Sequence, residues 1–285
     1  MKFQPRCTEC LLSRVAYEAA LVLDDPGRIE EIRRTAAEVL SAGESEGLAA
    51  PVLASRVHRC AYRLIGSDDP YLDLKRQNNR DALAAAAVIA PRLSSFHDNV
   101  MAAVLGNTFD YGVLAHQVTD DFLSFFFEEF DKGLAIDDTD RILPLCRRVI
   151  YITDNCGEIV FDRLLILFLK AMGAEVTLAV RGAPVLNDAT LEDARSLGLD
   201  QIVDHLTTTT RGEAELGINP LLLPDDLACA LDRCTLVIAK GMANYESLTD
   251  ISDFPPVAHL MAVKCDTIAE MTGVPRGSVV ALLRE

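Results

Sequence analysis

The chain has 285 residues, half of them hydrophobic and a quarter charged, which is the composition of an ordinary globular protein. Its formal net charge of −16 argues against a general binder of nucleic acid or of an acidic membrane, because phosphate groups require a basic surface. No apolar run is long enough to cross a membrane, and the first residues lack the apolar core of a signal peptide. We therefore expect a cytoplasmic protein with no nucleic-acid or membrane partner.

The eight cysteines stand mostly in apolar contexts, which favours reduced, buried thiols over a disulfide framework. Cys7 and Cys10 form one Cys-x-x-Cys pair. A structural zinc site needs four ligands, and no second pair follows, although Cys60 beside His58 could complete a site in space. The alternative, which we favour, is that two small residues pack at the start of a helix.

Apolar residues recur at helical spacing through most of the first half of the chain. The pattern predicts helices over residues 7–23, 26–40, 48–65, 82–90, 102–113 and 120–130. Asn107 and Asp110 lie three residues apart in an otherwise apolar stretch, so they share a helix face and need hydrogen bonds, either within the core or into a site. Five phenylalanines from Phe122 to Phe130 are typical of a core or of a contact between subunits.

From residue 147 onward the pattern changes to alternating strands and helices. Strands are predicted over residues 149–153, 175–180, 200–203, 235–239 and 260–263. Helices are predicted over residues 157–172, 188–197 and 224–234, and from residue 265, with a tail to residue 285. This alternation predicts an α/β fold in which residues 147–285 form a parallel sheet with helices on both faces. Residues 1–146 are expected to form a helical cap or subdomain integrated with that core.

Polar and charged residues follow each predicted strand. They are Asp154 and Asn155, then Arg181, Asn187 and Asp188, then Thr207 to Thr209, then Lys240 and Asn244, then Lys264. The carboxyl ends of parallel strands open on one edge of a sheet, so we expect these side chains in one cleft. Carboxylate and amide oxygens suit a divalent cation such as Mg²⁺ or Mn²⁺, whereas the basic residues and helix starts suit a phosphate. A metal beside a phosphate pocket indicates phosphoryl transfer or hydrolysis.

Each of these residues also has a structural interpretation. Asp154 and Asp188 could simply cap helices. Asn155 and Asn244 could be turn residues, and Lys264 could end a strand in solvent. We favour a site because the loops after five predicted strands agree.

Four blocks resemble the signature of the metal-dependent damage-control phosphatases, a former family of unknown function. They are residues 154–158 (DNCGE), 187–190 (NDAT), 240–246 (KGMANYE) and 263–265 (VKC). Residues 7–10, residues 69–71 with Lys75, and residues 106–107 with Asp110 resemble the compact microbial branch of that family. The resemblance covers nearly the whole chain, and its blocks stand in the expected order.

The resemblance implies a three-layer α/β/α core, a helical N-terminal region and a divalent metal, Mn²⁺, Co²⁺, Ni²⁺ or Mg²⁺. The metal ligands implied by block matching are Asp154, Asn155 and Asp188. The implied phosphate and sugar contacts are Lys264 and the block Met242, Ala243, Asn244, Tyr245 and Glu246. We add to this predicted substrate site Asn107, Asp110, Arg181 and Lys240. Cys156 stands where alanine or serine is more usual in the family, and its thiol could shift the metal preference.

The expected activity is metal-dependent hydrolysis of small phosphorylated metabolites, such as sugar phosphates or damaged metabolites. In the expected reaction a metal-polarised water attacks phosphorus, and Asp154 or Glu158 accepts its proton. Lys264 and Lys240 neutralise the remaining charge of the phosphoryl group. An aspartyl-phosphate intermediate on Asp154 is disfavoured, because a cysteine stands two residues later, where haloacid-dehalogenase-type phosphatases carry a second aspartate.

The sequence leaves two other functions open. A carboxyl methyltransferase is suggested by the first description of a human member of the family, but residues 154–157 lack the glycine-rich cofactor loop. A metal- or nucleotide-binding protein without turnover is the other alternative. The sequence predicts no oligomeric state.

Overall fold

The computed structural model describes residues 1–108, 118–251 and 253–285, which contain a seven-stranded sheet. The strands are β1 (Ile136–Asp137), β2 (Arg148–Ile152), β3 (Glu175–Val180), β4 (His205–Thr208), β5 (Leu236–Lys240), β6 (Val257–Ala262) and β7 (Val279–Arg284). Their order across the sheet is β1-β7-β6-β5-β2-β3-β4. All neighbours are parallel except β6 and β7, which are antiparallel. The predicted α/β fold with a mostly parallel sheet is confirmed.

The helices of the described residues account for most of the chain outside the sheet. They are α1 (Thr8–Ala20), α2 (Pro26–Ser45), α3 (Ala50–Ile65), α4 (Leu72–Ile89), α5 (Phe96–Gly106), α6 (Val118–Lys132), α7 (Thr139–Ile142), α8 (Glu158–Ala171), α9 (Leu191–Ser196), α10 (Asp225–Leu231), α11 (Gly241–Leu248) and α12 (Asp266–Thr272). Short 3-10 helices lie at Pro5–Cys7, Ala90–Arg92, Leu143–Leu145, Leu199–Gln201 and Pro220–Leu222. None of the helices described is long and apolar enough to span a bilayer.

Local sequence explains where several helices begin and end. Asp25 caps α2 by accepting a hydrogen bond of 2.9 Å from the amide of Gly27, and a proline stands at the first helical position. Ser95 and Asp98 form a capping box at the start of α5. At the other end of α3, Gly66 takes the left-handed conformation that commonly terminates a helix.

Side chains of β2 alternate between the two faces of the sheet, as the pleat of a strand requires. Val149 and Tyr151 belong to a buried cluster that includes residues of α4, α5, α6 and α8. Ile150 and Ile152 belong to a second cluster, with residues of α10 and α11. Both faces are therefore covered by helices, which explains why the central strands are buried over nearly their whole length.

The first three helices have a small core of their own, which contains Val15, Ile32 and Leu53. Helices α4 to α6 instead contribute to the cluster on the sheet. β1 lies before the predicted boundary at residue 146 and pairs with β7 at the other end of the chain. The division into residues 1–146 and 147–285 stays a prediction.

Two predicted elements of the sheet were wrong. Residues 200–203, predicted as a strand, instead enter a 3-10 turn, and the strand begins at His205, which is the first residue to pair with β3, opposite Thr177. The predicted tail is β7, whose residues 279–283 are an apolar run that covers the edge of β6. Helix α12 and the turn after it stay at the carboxyl end of β6, where Val279 pairs with Ala262, and this strand therefore returns antiparallel rather than parallel.

The predicted helix over residues 102–113 ends at Gly106 in its described part. Asn107 is the residue that follows, and its amide still bonds to the carbonyl groups of the last turn. Asp110 lies outside the described residues.

Candidate active site

The loops that follow β2 and β3 run antiparallel to each other at the carboxyl edge of the sheet. They are joined by two backbone hydrogen bonds of 2.8 Å, from Cys156 N to Asn187 O and from Ala189 N to Asp154 O. These bonds set Asn155 opposite Asp188 in a short antiparallel bridge. All three predicted metal ligands, Asp154, Asn155 and Asp188, are thereby brought together and are each less than a tenth exposed.

Asp154 lies at the centre of this arrangement. Its Oδ2 accepts hydrogen bonds from the side-chain amides of Asn155 at 2.8 Å and of Asn107 at 3.3 Å. Its Oδ1 lies 3.6 Å from Nη2 of Arg181. The carboxylate therefore bonds to groups from three separate segments of the chain, which fixes its orientation.

Gly241, the first residue of α11, makes room for Asp154. A Cβ atom at this position would lie 1.9 Å from Oδ2 of Asp154, much closer than two non-bonded atoms can approach. Its φ of +73° also falls in the left-handed region that favours glycine. The glycine of the KGMANYE block thus serves close packing against the acidic loop.

Arg181 links the two acidic loops to the rest of the cleft. It is 1% exposed, and its Nε donates to Oδ2 of Asp188 at 2.5 Å. Its Nη1 donates to the carbonyl oxygen of Gly217 at 2.8 Å and to Oδ1 of Asn244 at 3.2 Å. Its Nη2 makes no hydrogen bond within the part of the chain that is described and faces Asp154. The predicted role of Arg181 in substrate binding stays a prediction; its observed partners make it a support of Asp188.

Glu158, the first residue of α8, is wholly buried, and its two carboxylate oxygens contact different residues. Its Oε2 accepts a hydrogen bond of 2.7 Å from Asn107, and its Oε1 lies 2.7 Å from Nζ of Lys240. The same ammonium also donates to Asp162 at 2.7 Å and to the carbonyl oxygen of Ala103 at 2.6 Å. The burial of these contacts does not favour a direct contact between Lys240 and a substrate, a role that stays a prediction.

Four carboxyl groups and two basic groups share this buried region: Asp154, Glu158, Asp162, Asp188, Arg181 and Lys240. Burial, followed by the charges of Asp188 and Glu158, raises the pKa of Asp154 well above its ordinary value. Burial likewise raises the pKa of Asp162 to about 7. When all groups are ionised the region has two negative charges in excess, which is unfavourable in a buried site and is relieved by a divalent cation.

The donor set fits such a cation. Asp154 and Asp188 offer carboxylate oxygens, and Asn155 offers an amide oxygen, all of the hard type that Mg²⁺ and Mn²⁺ prefer. Among the described residues, no group of three or more histidine, cysteine or acidic side chains is arranged to hold a metal. A metal site built from these residues would therefore need the asparagine as its third ligand.

The remaining described residues of the predicted substrate site follow β5 and β6. Asn244 is buried and donates to the carbonyl oxygens of Thr153 at 3.1 Å and Lys240 at 2.6 Å. Met242, Ala243, Glu246 and Lys264 are partly exposed, and Tyr245 is buried. The backbone amide of Lys264 contacts the sulfur of Met242 at 3.4 Å, so these two residues lie beside each other at the ends of β5 and β6.

The cysteine pair near the N-terminus has a different environment. Cys10 is exposed, Cys7 is partly buried, and Cys60 is buried on α3. His58 is engaged elsewhere, because its Nδ1 lies 2.8 Å from Oε1 of the buried Glu18. The structure gives the zinc alternative no support among the residues it describes.

Several supporting residues were missed by the sequence interpretation. Asn79 on α4 accepts a hydrogen bond of 2.7 Å from the amide of Gly157, so it holds the acidic loop from behind. Beside it, the buried Lys75, which the resemblance had marked without a role, lies 2.9 Å from Asp69 and 3.4 Å from Asp193. Of the residues that were missed, only Asp162 had a sequence signal, since it follows Glu158 by one helical turn.

Fold and site together define an α/β protein with a buried, oxygen-rich anionic cluster at the carboxyl edge of its sheet. Over residues 3–280 the sequence matches the family described as the damage-control phosphatase ARMT1-like domain. A damage-control phosphatase of Archaeoglobus fulgidus is 40% identical over the full length of both chains. A damage-control phosphatase of Pyrococcus horikoshii is 29% identical over 99% of this chain and 98% of that protein.

The comparison with solved structures agrees. A crystal structure of a DUF89 family protein from Pyrococcus horikoshii matches with a TM-score of 0.92 at 27% identity, over 100% of both chains. The chain therefore belongs to the ARMT1-like damage-control phosphatase family. These matches confirm the family and the phosphatase class that the sequence blocks predicted.

Proposed function

We propose that the chain is a metal-dependent phosphomonoester hydrolase that acts on small phosphorylated metabolites, such as sugar phosphates or damaged metabolites. The observation that carries this proposal is the buried cluster around Asp154, whose excess negative charge calls for a divalent cation. Membership of the damage-control phosphatase family supports the hydrolytic activity. The same proposal includes a cytoplasmic location and no nucleic-acid or membrane partner.

Asp154, Asn155 and Asp188 would hold the metal ion, which we expect to be Mn²⁺, Co²⁺, Ni²⁺ or Mg²⁺. When bound, such an ion supplies charge neutralisation at a phosphoryl oxygen and makes a water molecule more acidic. Arg181 fixes the carboxylate of Asp188 through the contact at its Nε. Asn107 fixes Asp154 and Glu158 together, since its amide donates to both.

The remaining steps belong to the side chains of the chain itself. Asp154 or Glu158 accepts the proton of the attacking water, because Asp154 is a buried carboxylate among the proposed ligands and Glu158 is a buried carboxylate beside them. Lys264 and the first amides of α11 face the phosphate as the positive groups of the cleft. Lys240 acts from the buried side, where its ammonium pairs with Glu158 and holds that side chain in place.

The test is release of inorganic phosphate from a panel of sugar phosphates and other small phosphomonoesters, with each of the four metals and with chelator. We expect activity with at least one metal and none with chelator. Asp188→Ala is expected to lose more than about 100-fold in activity, since it removes a ligand and leaves Nε of Arg181 without its partner. Asp200→Ala, a change at an exposed aspartate, is the matched control and is expected to retain activity.

Two outcomes would contradict the proposal. Unchanged activity of the Asp188 variant would remove the metal-ligand assignment. Metal binding without phosphate release from any compound of the panel would favour the non-catalytic alternative.

A further inference from the structure

The loop after β3 contains a backbone conformation that its sequence does not favour. Leu186 has a φ of +49°, and among the residues described no other non-glycine residue has a positive φ. The left-handed region brings Cβ of an L-residue close to the neighbouring carbonyl oxygen, so a leucine enters it only when its surroundings impose it. Such conformations concentrate at functional sites.

The surroundings that impose it come from the helical part of the chain. The backbone amide of Leu186 donates a hydrogen bond of 2.8 Å to the hydroxyl oxygen of Tyr62 on α3. Tyr62 is 7% exposed and Leu186 is partly exposed, so this bond is partly shielded from water. The turn is closed on its other side by a hydrogen bond of 3.1 Å from the amide of Asp188 to the carbonyl oxygen of Val185.

The turn at Leu186 determines where Asp188 lies. It reverses the chain, so that residues 187–189 run antiparallel to residues 154–156 and form the two backbone bonds described above. Without the reversal, Asp188 would not stand opposite Asn155. The position of one predicted ligand thus depends on a strained residue two positions earlier.

Helix α3 fixes a second loop of the site in the same way. Oγ of Ser55 accepts a hydrogen bond of 2.8 Å from the amide of Leu216. Arg59 donates to the carbonyl oxygen of Ala214 at 2.7 Å and pairs with the buried Glu215. Gly217, which follows Leu216, is the residue whose carbonyl oxygen accepts the hydrogen bond from Arg181. One face of α3 therefore contacts both loops that hold Arg181 and Asp188.

We propose that Tyr62 is a positioning residue, which holds Leu186 in the left-handed conformation and so sets Asp188 against Asp154 for metal binding. The inference rests on the proposed metal site. On this inference, helix α3 holds the loops of the metal site in position, in addition to any contact that it makes with substrate.

The test measures Mn²⁺ binding by electron paramagnetic resonance, without substrate. Tyr62→Phe removes only the hydroxyl group and is expected to weaken Mn²⁺ affinity about ten-fold, as the loss of a partner behind a ligand usually does. Leu186→Gly is expected to bind Mn²⁺ as the wild type does, because glycine adopts a positive φ without strain. The double variant Tyr62→Phe with Leu186→Gly is expected to regain most of the lost affinity.

Recovery of Mn²⁺ affinity in the double variant would show that Tyr62 acts by positioning the loop and not by stabilising the whole protein. Tyr71→Phe is the matched control, since Tyr71 is a second buried tyrosine, whose ring contacts Tyr17. The thermal unfolding temperatures of Tyr71→Phe and Tyr62→Phe are measured alongside. The Mn²⁺ affinity of Tyr71→Phe is expected to equal that of the wild type. Wild-type affinity in Tyr62→Phe, or a double variant as weak as Tyr62→Phe alone, would overturn the inference.

Asp188→Ala distinguishes this failure from failure of the proposed function. If Asp188→Ala still binds Mn²⁺ as the wild type does, the metal site itself is wrongly assigned. If it loses Mn²⁺ while Tyr62→Phe does not, the metal site stands and only the role of Tyr62 is wrong.

Discussion

Lys240 and Asp162 form an ion pair of 2.7 Å in which neither side chain is exposed to solvent. Burial alone would lower the pKa of Lys240, but the carboxylates of Asp162 and Glu158 outweigh that effect and raise it. The charge of this lysine is therefore part of the folded state beneath the site. A buried ion pair contributes little net stability, yet removing one partner is costly because the other charge is left uncompensated.

We expect Lys240→Met to lower the free energy of unfolding by about 3–5 kcal/mol at neutral pH, measured by urea denaturation. The matched control is Lys170→Met, because Lys170 pairs with Asp204 near the surface. An exposed pair of that kind contributes about 1 kcal/mol or less. Equal losses in the two variants would contradict the special role of the buried pair.

Replacing Gly241 tests the packing against Asp154. Gly241→Ala is expected to displace that carboxylate and to reduce phosphatase activity by about 100-fold, the usual effect of a displacement of about 1 Å at a reacting centre. Gly273→Ala is a close control, because Gly273 has the same φ of +73° and a Cβ there meets nothing within 4 Å. It is expected to lose about 1 kcal/mol of stability but no activity. Comparable activity losses in both variants would show that the conformation of the glycine, not its contact with Asp154, matters.

His259 predicts how stability responds to acid. Burial, with a smaller effect of Arg284, lowers its pKa to about 3, whereas the unfolded chain takes up the proton near pH 6.5. Between these values the unfolded state binds more protons, so the stability contributed by neutral His259 is present above pH 6.5 and is lost as the pH falls. The loss approaches about 1.4 kcal/mol per pH unit, or about 2 kcal/mol between pH 6.5 and pH 5.

The measurement is the free energy of unfolding at a series of pH values in this range. His259→Phe, which keeps an aromatic ring against Tyr245, is expected to have a shallower slope than the wild type by that amount. Parallel slopes for the two proteins would show that His259 does not cause the acid sensitivity.

Asp98 is expected to stabilise the N-terminus of α5 in a pH-dependent way. Its carboxylate accepts hydrogen bonds of 2.8 Å and 2.9 Å from the amides of Ser94 and Ser95. Burial opposes ionisation, but these bonds outweigh it and lower the pKa of Asp98. Asp98→Ala is expected to cost about 1 kcal/mol at neutral pH, as loss of a capping residue does.

Because the pKa of Asp98 is lowered on folding, its contribution is present above the ordinary aspartate range and disappears as the pH falls through the folded pKa. The difference between wild type and variant should therefore shrink at acid pH. Asp131→Ala, at an exposed position on α6, is expected to change stability by less than about 0.5 kcal/mol at any of these pH values. A difference for Asp98→Ala that persists below its pKa would contradict the capping role.

The sequence predicted the parts of the site that depend on local pattern. Strands β2 and β3 are apolar and β-branched, and the polar residues that follow them could be placed at one sheet edge from chain alternation alone. This is why Asp154 and Asp188 were found together. Strand β4 was placed too early in the chain because the apolar pair before Asp204 resembles a short strand. Asp204 instead ends a turn, and its carboxylate accepts a hydrogen bond from the amide of Val176.

The contacts from the helical part could not be predicted in this way. Tyr62 and Asn79 lie on helices whose apolar faces indicate burial but not their partners, and the partners are 124 and 78 residues away. Lys240 was expected in the cleft because it ends a strand. Its side chain instead enters the core, where two carboxylates on α8 compensate its charge. The helical spacing of α8 does not reveal that these carboxylates are buried beside a lysine from another strand.

Asn107 links the order in which the chain is synthesised to the completion of the site. Its amide nitrogen binds Glu158, and its amide oxygen accepts a hydrogen bond of 3.1 Å from the backbone of Ala262, 155 residues later. The helices that precede Asn107 can form while most of the chain is still untranslated, but this side chain gains its last partner only when β6 joins the sheet. Contacts of such long sequence separation form slowly. If the proposed site holds a metal ion, a newly made chain would capture it late, and a truncated chain that ends before β6 would contain all three proposed ligands without this support.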